Sequence, residues 1–136
     1  MNPVGLTKDV GWQIGVRRIL DVHFDRLWNY IISTESMQIW LGKVDGFTWT
    51  VKASYELPDG THGEVRVYKP YSHVRLTWHP PAYPRASTIQ VRVIPKGNRS
   101  VLAFHQEHLP DQQAREDRRM FFKKVLDEVE HLLISP

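Results

Sequence analysis

The sequence predicts an α+β fold in which a curved antiparallel sheet of about six strands wraps around one long C-terminal helix. Two observations carry this expectation. Near the end of the chain, Phe122, Leu126, Val129 and Leu133 are spaced by four, three and four residues, which keeps one apolar stripe on one side of an α-helix. Upstream, runs of alternating apolar and polar residues are separated by Gly, Pro and Asp turn signals, the pattern of a strand meander. A solitary amphipathic helix cannot bury its stripe, and an antiparallel sheet with one apolar face is the cover available to it.

Taken in order, Met1 to Asp9 reads as a loose terminus. Val10 to Leu20 is a first strand. Trp12, Ile14 and Val16 alternate, and an irregularity is expected where Ile19 and Leu20 follow Arg17 and Arg18. Phe24 to Ile32 is a short helix with Phe24, Leu27, Trp28, Ile31 and Ile32 inward. Ser33 or Thr34 begins a second short helix reaching about Trp40, with Glu35 in the first turn, where a carboxylate suits the helix dipole. Met37 and Trp40 share one of its faces.

Gly42 to Gly46 is a linker, and Phe47 to Leu57 is the next strand. Pro58-Asp59-Gly60 turns the chain. Gly63 to Lys69 sets Val65 and Val67 against Glu64, Arg66 and Tyr68, and Pro70-Tyr71 turns again. His73 to His79 places Val74, Leu76 and Trp78 on one face. Three prolines make Pro80 to Arg85 a loop. Ser87 to Ile94 and Arg99 to His108 are the last strands, joined by a turn at Pro95 to Asn98.

The final helix spans Asp111 to Ile134, about 35 Å at ~1.5 Å per residue. Asp111 follows Pro110 and is placed to cap it. Lys123, Lys124, Asp127, Glu128 and Glu130 form its wet side, and Arg115, Arg118 and Arg119 are assigned to solvent as well.

At 136 residues, residues 1–136 are expected to form one domain. Apolar residues make up 41% and charged residues 24%, which argues against disorder. No apolar run approaches the ~18 residues of a membrane span, and the first nine residues carry no signal-peptide core, so a cytoplasmic protein without membrane contact is expected. The absence of cysteine excludes disulfides, thiolate chemistry and cysteine zinc sites. A net charge of +3, with both signs mixed, does not point to nucleic acid.

The order of elements and several local motifs resemble the helix-grip proteins of the START-like (SRPBCC) superfamily. Within it, the chain is similar to homologues of the C-terminal domain of the heat-shock protein 90 ATPase activator. Phe24-Asp25-Arg26-Leu27-Trp28 resembles that branch's first-helix motif, and Ser33-Thr34-Glu35 leading to Ile39-Trp40 its second. Asp59-Gly60 followed by Gly63-Glu64-Val65 is similar to its Asp-Gly hairpin, and Leu76-Thr77-Trp78 to the end of its next strand. The likeness covers roughly Gly11 to Leu133. It departs at Phe121-Phe122, where the branch often has Gly-Trp, so a point of close approach to the sheet is lost. The resemblance implies binding of small apolar ligands, or contact with a chaperone, in preference to one defined reaction.

A sheet wrapped around a single helix leaves space that aromatic residues can line. The expected ligand-binding residues are therefore Trp28, Trp40, Trp49, Tyr55 and Trp78, with Phe122 and Leu126 from the helix and His105 as the polar group. For any one ring core packing is the more ordinary explanation, at ~2–3 kcal/mol of burial apiece. Leu102 and Phe104 look like the packed face of their strand, which would send His105 and Glu107 the other way; an inward His105 would orient a ligand or act as a base. His105, Glu107 and His108 lack tetrahedral metal spacing, and no cofactor is expected.

Arg66, Arg75 and Arg92 lie opposite the apolar sets of neighbouring strands. They form either a solvated face or a docking stripe for an acidic partner. Tyr68 alone would face outward for base stacking. No nucleophile elbow, phosphate loop or dinucleotide fingerprint is present. The alternatives to ligand binding are a protein-interaction module related to the chaperone activator and an enzyme using the same cavity.

Overall fold

The structure is a computed structural model that describes residues 5–7 and 11–134. Its elements run β1 (Leu6–Thr7), β2 (Gly11–Leu20), α1 (Phe24–Ile31), α2 (Thr34–Trp40), β3 (Ser54–Glu56), β4 (His62–Lys69), β5 (His73–Trp78), β6 (Ser87–Lys96), β7 (Arg99–Leu109) and α3 (Gln112–Ile134). The strands pair antiparallel in the order β1-β2-β7-β6-β5-β4-β3. Short turns join sequence neighbours from β3 to β7, and β2 then closes on β7. The turn after Leu57 is held by Asp59, whose Oδ1 accepts from the Thr61 amide at 2.9 Å, and by Gly60 at φ 90°.

Alternation puts one apolar face of the sheet on the helix side. Ile14 and Leu20 of β2, Leu102 and Phe104 of β7, Ile89 and Val91 of β6, Val74 and Leu76 of β5 and Val65 of β4 are all buried. Across them lies α3, burying Phe122, Val125, Leu126, Val129 and Leu133. Asp111 Oδ1 accepts from the Ala114 amide at 2.8 Å, the cap its position predicted. The short helices fill the rest of the inner face with Leu27, Trp28, Ile31, Met37 and Trp40. They are tied together at the Ile31 carbonyl, which accepts from Ser36 Oγ at 3.0 Å and Trp40 Nε1 at 2.9 Å.

Four local expectations change. Leu6–Thr7 is paired with β2, whereas the rest of the terminus expected to be loose lies outside the described residues apart from Gly5. The slip in β2 falls between Trp12 and Ile14, opposite His108 at φ 63°, and not at Arg17 and Arg18. Beyond it the alternation is unbroken. Arg18 faces α3, where it pairs with Asp127 at 2.7 Å and Glu130 at 3.2 Å, and Ile19 is the exposed residue.

Of the strand expected over Phe47 to Leu57, only Ser54–Glu56 is regular. Phe47 and Trp49 instead turn inward from a loop, and Lys52 takes φ 74°. Finally, a bulge between Val65 and Val67 reverses the side-chain parity of β4. Tyr68 therefore lies on the inner side, 6.3 Å from Trp28 and stacked on Trp49 at 5.9 Å, and is not an outer-face stacking platform. Among the described residues no helix is long and apolar enough to cross a membrane.

Candidate functional site

The residues expected to line a cavity divide into two groups. Trp28, Trp40, Phe122 and Leu126 are buried to 2% exposure or less and pack on one another and on the sheet. Phe104 is the pivot: it stacks on Phe122 at 4.6 Å with 20° between the planes, and lies 6.4 Å from Trp40. At Phe122, contact between helix and sheet is ring to ring. Trp49 stacks on Trp40 at 6.2 Å and donates from Nε1 to the Ile32 carbonyl at 2.9 Å, which pins its loop over the two short helices.

The second group lies at the other end of the sheet, around Tyr55 and Trp78. The Tyr55 hydroxyl donates to the Thr77 carbonyl, and Tyr83, from the proline-rich loop, meets Trp78 edge-on at 5.5 Å. Trp78, Tyr83 and Phe121 remain partly exposed. An open depression of about 890 Å³ lies on the β3–β4 side, lined by Tyr55, Leu57, His62, Gly63, Lys43 and Asp45 among others. A second, of about 460 Å³, is lined by Tyr83, Pro110, Ala114 and Asp117.

Between these groups stands Arg118, which the charge pattern had assigned to solvent. Its guanidinium carbon lies 3.9 Å from the centre of the Trp78 ring, 4.3 Å from Phe121 and 4.9 Å from Phe122. Nε donates to Gln106 Oε1 at 2.9 Å, Gln106 Nε2 donates to Ser87 Oγ at 2.8 Å, and Ser87 Oγ donates to the Trp78 carbonyl at 2.9 Å. Gln106 and Ser87 are fully buried. Among the described residues no carboxylate pairs with Arg118.

Burial pulls the Arg118 pKa down to about 10, against the opposing pull of Tyr83 and Tyr55, so it stays cationic at neutral pH. Burial likewise pushes the Tyr55 and Tyr83 phenols up, with Arg118 working the other way, and both stay neutral. The signal for Arg118 was in the sequence. It lies four residues after Ala114 and four before Phe122, on the apolar stripe itself.

His105 does not join this group. Phe104 and Gln106 point to the helix side, so His105 stands on the outer face, where its Nε2 meets Gln13 Oε1 at 2.9 Å beside Gly15. Burial lowers its pKa, Glu107 opposes that, and Arg75 adds to it. Glu107, paired with Thr88, shares the outer face. Polar groups on the inner side at this end include Arg118, Gln106 and Ser87. Among the described residues no three His, Asp or Glu side chains gather as metal donors.

On the outer face, Lys69, His73, Arg92, Ala103 and Arg17 form one cross-strand row, and Arg75, Gln90, His105 and Gly15 the next. Arg75 donates to Gln90 Oε1 at 2.9 Å. Arg66, at the β4 bulge, is instead paired with Glu64 at 2.9 Å.

A family model described as "Activator of Hsp90 ATPase homolog 1-like protein" matches residues 21–133. No curated protein matches the chain. Among solved structures, CalU16 from Micromonospora echinospora is 17% identical with a TM-score of 0.76, over 91% of this chain and 76% of that one. MLL2253 from Mesorhizobium loti is 22% identical with a TM-score of 0.74, over 89% and 96%. PFC0360w, an HSP90 activator from Plasmodium falciparum, is 17% identical with a TM-score of 0.74, over 91% and 97%. These likenesses show that the fold, a curved antiparallel sheet around a long C-terminal helix, is shared with these structures. With the family model matching most of its length, the chain belongs to the activator of Hsp90 ATPase homolog 1-like family.

Proposed function

We propose that residues 1–136 act as one domain that binds a small, mostly apolar molecule between the sheet and α3, at the end bounded by Tyr55, Trp78, Tyr83 and Phe121. The supporting observation is the contrast between the two ends of the inner face. At the α1–α2 end the rings are buried and stacked on one another. At the other end Trp78, Tyr83 and Phe121 keep exposed surface, Tyr83 lines one depression and Tyr55 the other. Aromatic surface beside open space is where a flat apolar ligand gains most from leaving water. A cytoplasmic site of action goes with this reading. Native mass spectrometry of freshly purified protein tests it. A retained small molecule, or a thermal shift with aromatic or lipid-like compounds, is expected; a bare protein that no such compound stabilises would reject it.

A second reading is a co-chaperone-like interaction module. The family match and the basic outer face favour it, since Lys69, Arg92, Arg17 and Arg75 occupy adjacent rows with no acid among them. Stimulation of chaperone ATPase activity, lost when Arg17 and Arg92 are both changed to Glu, would support it. No stimulation at saturating protein would remove it. The enzyme reading needed an acid or base on the cavity wall, with the histidines and Glu107 as candidates; of these His105 and Glu107 face away, and His62 lines the depression beside Tyr55.

A further inference from the structure

We propose that Arg118 anchors the acidic group of the ligand, so that the site selects a small amphipathic carboxylate with an apolar body. This rests on the ligand-binding reading above and assigns the chemistry of its polar end.

The guanidinium has five N–H donors in one plane. Of these, the protein uses Nε, bonded to Gln106; among the described residues no hydrogen bond is made by Nη1 or Nη2. Aromatic rings pack against the group, and cation–π contact satisfies faces, not edge donors. A cation drawn out of water with no carboxylate beside it is costly, and an incoming anion relieves that cost. A carboxylate fits the free fork with two parallel charge-assisted hydrogen bonds.

The fork is also held in place. Arg118 is bonded to Gln106, Gln106 to Ser87, and Ser87 to the backbone of Trp78, whose ring touches the guanidinium. This closed circuit fixes the cation before any ligand arrives, as a recognition site requires. Tyr55 and Tyr83 lie within electrostatic reach and are neutral, so neither competes as a counter-ion. The apolar body of the ligand would rest on Trp78, Tyr83 and Phe121.

The test is calorimetry with matched pairs that differ only in the head group: 2-naphthoate against 2-naphthylmethanol, and decanoate against decanol. Wild-type protein is expected to favour the acid of at least one pair by about 10-fold or more. Arg118→Gln should bring acid and alcohol to within about twofold of each other. Arg118→Lys, which keeps the charge and loses the fork, should fall between, and carries the comparison if the Gln variant does not fold. Equal binding of acid and alcohol to wild type, or a preference that survives both variants, would overturn the anchor and leave the ligand-binding reading standing. If no compound binds, both fall.

Discussion

Truncating Phe122 to Ala tests whether the α1–α2 end of the inner face is filled. Phe122 has no exposed surface, stacks on Phe104 at 4.6 Å and meets Phe121 at 5.1 Å. A fully packed Phe replaced by Ala costs about 3–5 kcal/mol in transfer and cavity terms together. With a urea slope of ~2 kcal/mol/M for a chain of this size, the unfolding midpoint should drop by roughly 1.5–2.5 M, with the slope itself unchanged. Phe104→Ala should cost about the same. The double variant should lose about 0.5–1.5 kcal/mol less than the two single losses together, because the stacked pair can be broken only once. The assay is equilibrium urea unfolding followed by fluorescence and by circular dichroism, which should give coincident transitions. A loss below about 1.5 kcal/mol for Phe122→Ala would mean that the ring borders open space. Strictly additive losses would mean that the two rings do not touch. Either result would refute the division of the inner face into a packed end and a binding end.

Three further outcomes follow from other contacts. A methyl group at Gly63 would collide with the Thr77 carbonyl and the Tyr55 ring, so Gly63→Ala should cost about 1–3 kcal/mol in urea unfolding; a neutral result would show that β4 and β5 are not this close. Arg18→Ala removes the pairs with Asp127 and Glu130, both on partly exposed side chains, and should cost under about 1 kcal/mol, vanishing in 1 M salt; a salt-independent loss would assign the residue a packing role instead. His105 and His73 are both held below the ordinary 6.5 by burial first, and His73 further by Arg92, Lys69 and Arg75. The unfolded chain therefore takes up protons near pH 6.5 that the folded chain refuses, so their penalty is absent above that pH and grows as pH falls below it. The urea midpoint should fall between pH 7.5 and 5.5, and the double variant His73→Gln/His105→Gln should show a flatter decline; an unchanged slope would contradict these environments.

Strands β5 and β6, β7 as far as Gln106, and the final helix could be anticipated because the apolar residues of their buried faces recur at one spacing. The short helices could be anticipated because Ser33 caps α2 through the Ser36 amide and the apolar residues of both share a side. What periodicity could not supply was parity across a bulge. Alternation says which residues share a face only while the pairing is regular, and the bulge near Arg66 moved Tyr68 to the inner side without any change in local composition. Phe47 and Trp49 alternate as a strand would, yet their side chains are gathered by Trp40, Tyr55 and Tyr68 from other elements, which the local pattern cannot report. For Arg118 the sequence carries two opposed signals: its charge points to solvent and its helical position to the apolar stripe. The cation belongs to the stripe because three rings and Gln106 receive it. Of the expected lining, Trp28, Trp40, Trp49, Phe122 and Leu126 pack into the core end, Tyr55 and Trp78 stand at the proposed site, and Arg118 takes the polar place there that His105, on the outer face, does not.

The closure of β2 on β7 joins residues such as Gly15 and His105, about ninety positions apart in the chain. During synthesis the first long strand must wait for the last before it gains its neighbour, and α3 comes later still. Until that helix has left the ribosome, the greasy side of the nascent sheet faces water. Folding of this chain should consequently be slow relative to helical proteins of equal stability, and most prone to aggregation in the interval before its final two elements arrive.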